Sequence, residues 1–191
     1  MVPVLVACAL IVGFFVWERG SRQGAAAASF ARGAFDRGST LLLAGVFALG
    51  FVLLPLALPL NARGIGRMAL PLAVAWCGIA AMVLGIALRV WASRVLGRYF
   101  TRTLHATSDQ PVVRDGPYRV IRHPGYLGDI LLWSGAAFAT LNGIVFAVLT
   151  LAAIGAYAYR IHTEEAMLRA TLGEPYREYA RQTRRLIPFV Y

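Results

Sequence analysis

Residues 41–60 run for twenty positions without a charge. A helix of that length reaches about 30 Å, the thickness of a bilayer's hydrocarbon core. A lipid-facing backbone has no water to bond, so it must satisfy its own N–H and C=O groups, and a helix does so within the segment. Residues 2–17 and 68–88 form two further apolar runs. Residues 126–141 and 144–159 form a last pair, split by Asn142-Gly143, a tight-turn dipeptide. Each member of that pair is sixteen residues, or roughly 24 Å as helix, which fits two tilted spans or a hairpin that barely reaches the far face. The chain is 59% hydrophobic, above the roughly 45–50% of a soluble domain. The pattern predicts an all-α, polytopic integral membrane bundle of about five transmembrane helices. It is one domain over 1–191, with N-terminal spans in 1–88 and a second portion, richer in polar residues, in 89–191.

Several local features refine this. Arg19 and Arg22 follow the first run instead of preceding it, the wrong way round for a signal peptide. Pro55 and Pro59 predict a late kink in the second span. Ala73, Cys77, Ala81 and Gly85 recur every fourth residue, a ridge that would let another helix approach closely. Cys8 and Cys77 lie inside apolar runs without Cys-x-x-Cys spacing and read as packing residues. Gly64-Ile65-Gly66 mimics part of a dinucleotide fingerprint but follows no strand and is set aside.

The formal charge of +10 is carried by nineteen arginines and no lysine. They flank the apolar runs, which points to anionic lipid headgroups and membrane topology, not nucleic acid. Four lie in 18–40, seven in 89–125 and six in 160–191, against two in 61–67. The positive-inside rule then places the N-terminus outside and the C-terminus in the cytoplasm. It also puts 89–125 and 160–191 on the same face. The Ala- and Arg-rich, lysine-free composition suggests a bacterial inner membrane.

Residues 114–128 are dense in charge, aromatics and glycine, an expensive mixture to keep at a membrane boundary without a use. The hairpin returns the chain to where it left, so His123 and Tyr126 at its start should meet Arg160, Glu164 and Glu165 at its end. Arg160 and Glu164 are four apart on one helical face, while Glu164 and Glu165 point in different directions. Pro124 is suited to begin a helix, and Gly125 and Gly128 leave room for close approach. His105, His123 and His162 lack metal-ligand spacing, and no serine or cysteine sits in a nucleophile context. What remains is chemistry in which a cofactor supplies the reactive group and the protein supplies position and field.

Gly116-Pro117-Tyr118, Arg122-His123-Pro124-Gly125-Tyr126-Leu127-Gly128, Glu164-Glu165, Leu172-Gly173-Glu174-Pro175-Tyr176-Arg177-Glu178-Tyr179 and Leu186-Ile187-Pro188-Phe189 together resemble the isoprenylcysteine carboxyl methyltransferase family. Related phospholipid N-methyltransferases share the His-Pro-x-Tyr and Glu-Glu parts. The resemblance covers about residues 85–191. It implies a membrane methyltransferase that uses S-adenosylmethionine in a cytoplasmic pocket, with a lipophilic small molecule or lipidated substrate as acceptor. By position it implies cofactor contacts from His105, Gln110, Pro111, Val112, Val113, Tyr118, His123, Pro124, Gly125, Tyr126 and Glu165. It implies substrate-side roles for Arg160, Glu164 and Arg89. Gln110 stands where the eukaryotic enzymes have histidine, and the acidic run after Arg160 is shorter, departures that bear on the acceptor. An NADPH-dependent membrane sterol-type reductase shares a related Arg-His-Pro-x-Tyr segment, and a non-catalytic membrane scaffold would keep the fold alone. Oligomeric state is not readable from the sequence.

Overall fold

The apolar runs become helices, as backbone satisfaction in lipid requires. The computed structural model describes residues 2–21, 36–100 and 110–187. Among these residues the α-helices are α1 (Val2–Ser21), α2 (Ser39–Ala62), α3 (Ala75–Leu96), α4 (Pro124–Ala139), α5 (Gly143–Leu172) and α6 (Glu174–Gln182). Single 3-10 turns occupy Leu72–Val74, Gly97–Tyr99 and Gly116–Arg119. α1, α2, α5 and the segment Leu72–Leu96 are each long and apolar enough to cross a bilayer, and the chain is an integral membrane protein. α4 is sixteen residues, shorter than these.

The third span differs from the sequence expectation at both ends. The third span begins at Ala75, not at 68, because Met68 bonds to the Leu141 carbonyl and Pro71 precedes the first turn. It runs on to Leu96, so Arg89 lies within the helix and not in a polar loop after it. α5 runs for thirty residues, past the apolar run's end at 159 and on to Leu172, which carries Arg160, Glu164 and Glu165 outward on a rigid rod, as their shared helical spacing predicts. Pro55 and Pro59 both sit inside α2, which stays continuous to Ala62.

α3 and α4 make the closest pairing in the bundle. A β-carbon added to Gly85 would lie 2.5 Å from the Gly128 carbonyl oxygen, and one on Gly78 2.5 Å from that of Gly135. Seven residues separate the glycines on each helix, about two turns, so both pairs lie on one seam. This corrects the expected ridge. Ala73 and Cys77 are exposed and Ala81 is only half-buried, while Ala75, Gly78, Met82 and Gly85 face the protein. A four-residue stride drifts around a helix of 3.6 residues per turn, and the seam follows the slower path.

Trp133 on α4 is fully buried and stacks on Phe47, with ring centroids 5.4 Å apart. Phe15 and Phe51 flank it. Gly50 makes room, since a β-carbon there would come within 2.2 Å of the indole.

The two ends of the bundle differ. At one, the hairpin tip is fastened to the α2–α3 turn. The buried Asn142 amide donates to Asn61 Oδ1 (2.8 Å) and to the Ile65 carbonyl (2.9 Å), and its oxygen accepts from Val145 N–H (3.1 Å) as the N-cap of α5. The hairpin therefore reaches the level of the opposite turn, despite the short α4. At the other end gather the last turn of α1, the start of α2, the end of α3, the start of α4 and the outer half of α5. That end carries the polar chemistry.

Candidate active site

His123 takes a non-helical conformation, and Pro124 opens α4 immediately after it. Proline disfavours helix in the residue before it and is itself pre-set for the first helical position. This break turns the His123 imidazole flat against the Tyr126 ring, with centroids 5.5 Å apart and planes 4° off parallel. The Tyr126 hydroxyl donates to Glu164 Oε2 at 2.5 Å and accepts from Arg160 Nε at 3.3 Å. His123 Nδ1 lies 3.8 Å from the same glutamate oxygen. The two ends of the hairpin thus meet through His123, Tyr126, Arg160 and Glu164.

Arg160 is 2% exposed, and much of its hydrogen bonding goes to the start of α2. Its Nη1 donates to Asp36 Oδ1 (3.0 Å), Ser39 Oγ (2.7 Å) and Thr40 Oγ1 (3.0 Å). Asp36 in turn accepts from both hydroxyls and from Thr40 N–H. Burial alone would raise the Asp36 carboxyl's pKa, but the bonds from Thr40 and Ser39 and the charge of Arg160 outweigh it and hold the group below its usual range. Asp36, Ser39 and Thr40 escaped the sequence reading. An acid three and four residues before hydroxyls at a helix start is ordinary capping grammar, and nothing in it points to an arginine 120 positions away.

Arg89 is a second hub. It bonds Glu18 of α1 (2.6 Å), Asp129 of α4 (2.5 Å) and the Gly125 carbonyl (3.4 Å). The Tyr157 hydroxyl of α5 donates to the same Asp129 oxygen at 2.6 Å. The Phe14 and Phe100 rings lie 5.8 and 5.2 Å from the guanidinium carbon. Glu18, Asp129 and Tyr157 were also missed. A signal existed: Glu18 is the sole acid of α1 and Asp129 the sole acid of α4, and an ionisable group inside a span calls for a partner.

Glu165, about 100° further round α5 than Glu164, brings Oε1 to 3.5 Å from His123 Nε2. Its oxygens accept from Arg122 (2.9 Å), Arg169 (2.8 Å) and Arg185 (3.3 Å). Arg122 also donates to the carbonyls of Ala180 and Thr183, closing the C-terminal end of α6. The backbone at 120–123 pairs with 184–185: Arg122 N–H bonds the Arg184 carbonyl (2.7 Å) and His123 N–H that of Arg185 (3.0 Å). Tyr179 OH donates to the Tyr118 carbonyl at 2.8 Å. Burial lifts the Tyr179 phenol to about 12, and burial beside Glu164 raises Tyr118 further, so both stay protonated donors at neutral pH. These ties fold α6 over the polar end of the bundle.

Beneath α6 lies a cavity of about 310 Å³. Gln110, Pro111, Val112, Val113 and Tyr118 form one wall, and Arg89, His123, Gly125, Tyr126, Arg160 and Glu164 another. Phe15 of α1 and Leu43, Ala44 and Phe47 of α2 line an apolar side. Of the residues expected from sequence, two are placed off this wall. Pro124 is buried at the helix start, and Glu165 is engaged by the arginine cluster. His105 lies outside the described residues.

Comparison with known proteins bears on this arrangement. Residues 77–170 match the family described as isoprenylcysteine carboxyl methyltransferase (ICMT). A probable protein-S-isoprenylcysteine O-methyltransferase of Oryza sativa subsp. indica is 32% identical over 120 residues, which is 61% of this chain and 62% of the relative. Protein-S-isoprenylcysteine O-methyltransferase B of Arabidopsis thaliana is 33% identical over 116 residues, 59% of this chain and 58% of the relative. The Tribolium castaneum protein-S-isoprenylcysteine O-methyltransferase is 31% identical over 115 residues, 59% of this chain and 41% of that one. The chain thus spans 62% or less of the length of these curated relatives. A solved structure of the eukaryotic intramembrane Ras methyltransferase ICMT superimposes with a TM-score of 0.60 at 25% identity, over 79% of this chain and 52% of that one.

Proposed function

From the kinship of residues 77–170 with the isoprenylcysteine carboxyl methyltransferase family, we propose that this chain is an S-adenosylmethionine-dependent membrane enzyme that methylates a lipophilic acceptor, most closely the carboxylate of an isoprenylcysteine. The observation that carries the reading is one cavity with two characters. Its polar end is closed by His123, Tyr126, Arg160 and Glu164, and its apolar end is lined by Phe15 of α1 and Leu43, Ala44 and Phe47 of α2.

The residues present fit the cofactor. The volume falls at the lower end of the range of small-molecule sites, about 300–1,000 Å³. The buried Tyr176 hydroxyl on the cavity wall has no hydrogen-bond partner among the described residues, a group that a polar ligand would satisfy, while His123 Nε2 faces Glu165 Oε1 at 3.5 Å. Bound there, S-adenosylmethionine supplies a methyl group activated by a sulfonium. The faces of Tyr118 and Tyr126 attract a cation. Gln110, Pro111, Val112, Val113 and Gly125 shape the nucleoside side, and Pro124 fixes the helix start that presents His123. Arg160, already oriented by Asp36, faces an anionic acceptor, while Glu164 holds the Tyr126 hydroxyl. Arg89 acts as a strut joining α1, α3 and α4 behind the acceptor. Glu165 acts through Arg122 by keeping α6 closed. A carboxylate acceptor needs no general base, so the chain's work is alignment and exclusion of water, worth up to roughly 7–11 kcal/mol.

The arginine-rich end faces the cytoplasm in this reading, with the N-terminus outside, and a bacterial inner membrane fits the composition. The test is transfer of a labelled methyl group from S-adenosylmethionine to an S-prenylated cysteine bearing a free carboxylate, in proteoliposomes. Product with the wild type and its loss in Glu164→Gln are expected. Equal transfer by both proteins would overturn the site, and transfer to a lipophilic amine instead would move the acceptor class to phospholipid-type N-methylation.

A further inference from the structure

Tyr176 opens α6, the short helix that covers the cavity, and is 3% exposed. Its side chain lines the cavity, and its hydroxyl has no hydrogen-bond partner among the described residues. The contrast with its neighbour three residues on is informative. Tyr179, on the same helix and equally buried, spends its hydroxyl on the Tyr118 carbonyl. A buried phenol left without a partner costs free energy, and native chains keep such groups when something else completes them. His123, on the hairpin side of the same cavity, instead has carboxylates near both ring nitrogens, Glu164 3.8 Å from Nδ1 and Glu165 3.5 Å from Nε2.

We propose that Tyr176 is a ligand-contacting residue whose hydroxyl donates a hydrogen bond to a neutral acceptor atom, a ribose oxygen or a ring nitrogen, on the nucleoside part of the bound cofactor. This deepens the function proposed above and rests on it. The class of acceptor atom follows from the surroundings. Burial, with Glu165 and then Glu164 nearby, holds the phenol protonated well above neutral pH, so it is a donor. Arg122, also close by, offsets Glu165, whereas Glu164 on the cavity wall disfavours an anionic group beside the phenol, which favours an uncharged oxygen or nitrogen. Glu164 then offers a complementary acceptor across the cavity, an arrangement suited to a hydroxyl that both gives and receives. Under this reading α6 is part of the binding site and not only a cover, and its latch through Arg122 to Ala180 and Thr183 sets where Tyr176 sits.

The test uses Tyr176→Phe and does not depend on turnover. The hydroxyl has no hydrogen-bond partner among the described residues, so its removal should leave the unliganded fold intact. Unfolding temperature in detergent is measured first, then equilibrium binding of S-adenosylhomocysteine and of adenosine. The proposal expects an unchanged unfolding temperature, affinity for both nucleosides about three- to tenfold weaker, the loss of one neutral hydrogen bond, and an unchanged KM for the prenylated acceptor. It is overturned by equal nucleoside affinity in the two proteins, by a raised acceptor KM with cofactor affinity intact, or by a lower unfolding temperature, which would reveal a protein partner. A wild type that binds neither nucleoside defeats the cofactor assignment as well, and so separates failure of the site from failure of this contact.

Discussion

Gly85→Ala tests how the fold reaches the site. The added β-carbon lies 2.5 Å from the Gly128 carbonyl oxygen, where ordinary contact begins at 3.4 Å, so the two backbones must part by about 0.9 Å. The obstructing atom is main chain and cannot rotate aside. Overpacking of this kind costs typically about 1–3 kcal/mol. The strain falls one turn from Arg89 on α3 and beside Asp129 on α4, which are joined at 2.5 Å by the ion pair that closes the cavity wall. Gly85→Ala should therefore lower both the unfolding temperature in detergent and the affinity for S-adenosylhomocysteine. Cys77→Leu, on the lipid-facing side of the same helix, should change neither. A stable, ligand-binding Gly85→Ala together with a damaged Cys77→Leu would return the packing seam to the 73/77/81 ridge and refute the reasoning.

Arg160→Ala and Glu164→Gln should separate cleanly. The first strands the buried Asp36 without its cation and should cost about 3–5 kcal/mol, read as a large fall in unfolding temperature. The second changes a part-exposed carboxylate and should hold stability within about 0.5 kcal/mol while abolishing methyl transfer. Asp36 also sets an acid limb. Its carboxyl titrates lower in the fold than the roughly 3.9 of an unfolded chain, so its stabilisation is complete above that value and is lost as pH falls through the lower folded value. Asp36→Asn should lower stability at neutral pH and flatten that acid limb in unfolding scans.

The membrane architecture was legible because its cause is local. Twenty uncharged residues at 41–60 admit few structures in lipid, and Asn142-Gly143 marks the hairpin turn. The meeting of His123 and Tyr126 with Glu164 was legible for a topological reason, since an antiparallel pair returns the chain to its start. The partners of Arg160 and Arg89 were not. Asp36, Glu18 and Asp129 lie 124, 71 and 40 positions from the arginines they hold, and pairing at that range depends on helix rotation. The separate fates of Glu164 and Glu165 illustrate the same limit. Adjacency shows that they face different ways, but only the placement of Arg122, Arg169 and Arg185 tells which one faces inward. The ridge on α3 failed because alanine is abundant in this chain, so small residues at a four-residue stride arise without a contact behind them.

Calorimetric titration of the purified protein in detergent with S-adenosylmethionine and, separately, with NADPH reaches the central claim most directly. Saturable binding of the sulfonium at one site, weakened in Glu164→Gln, with no heat from the dinucleotide, is the predicted result. Binding of NADPH, or of neither compound, would contradict the assignment of this cavity to methyl transfer.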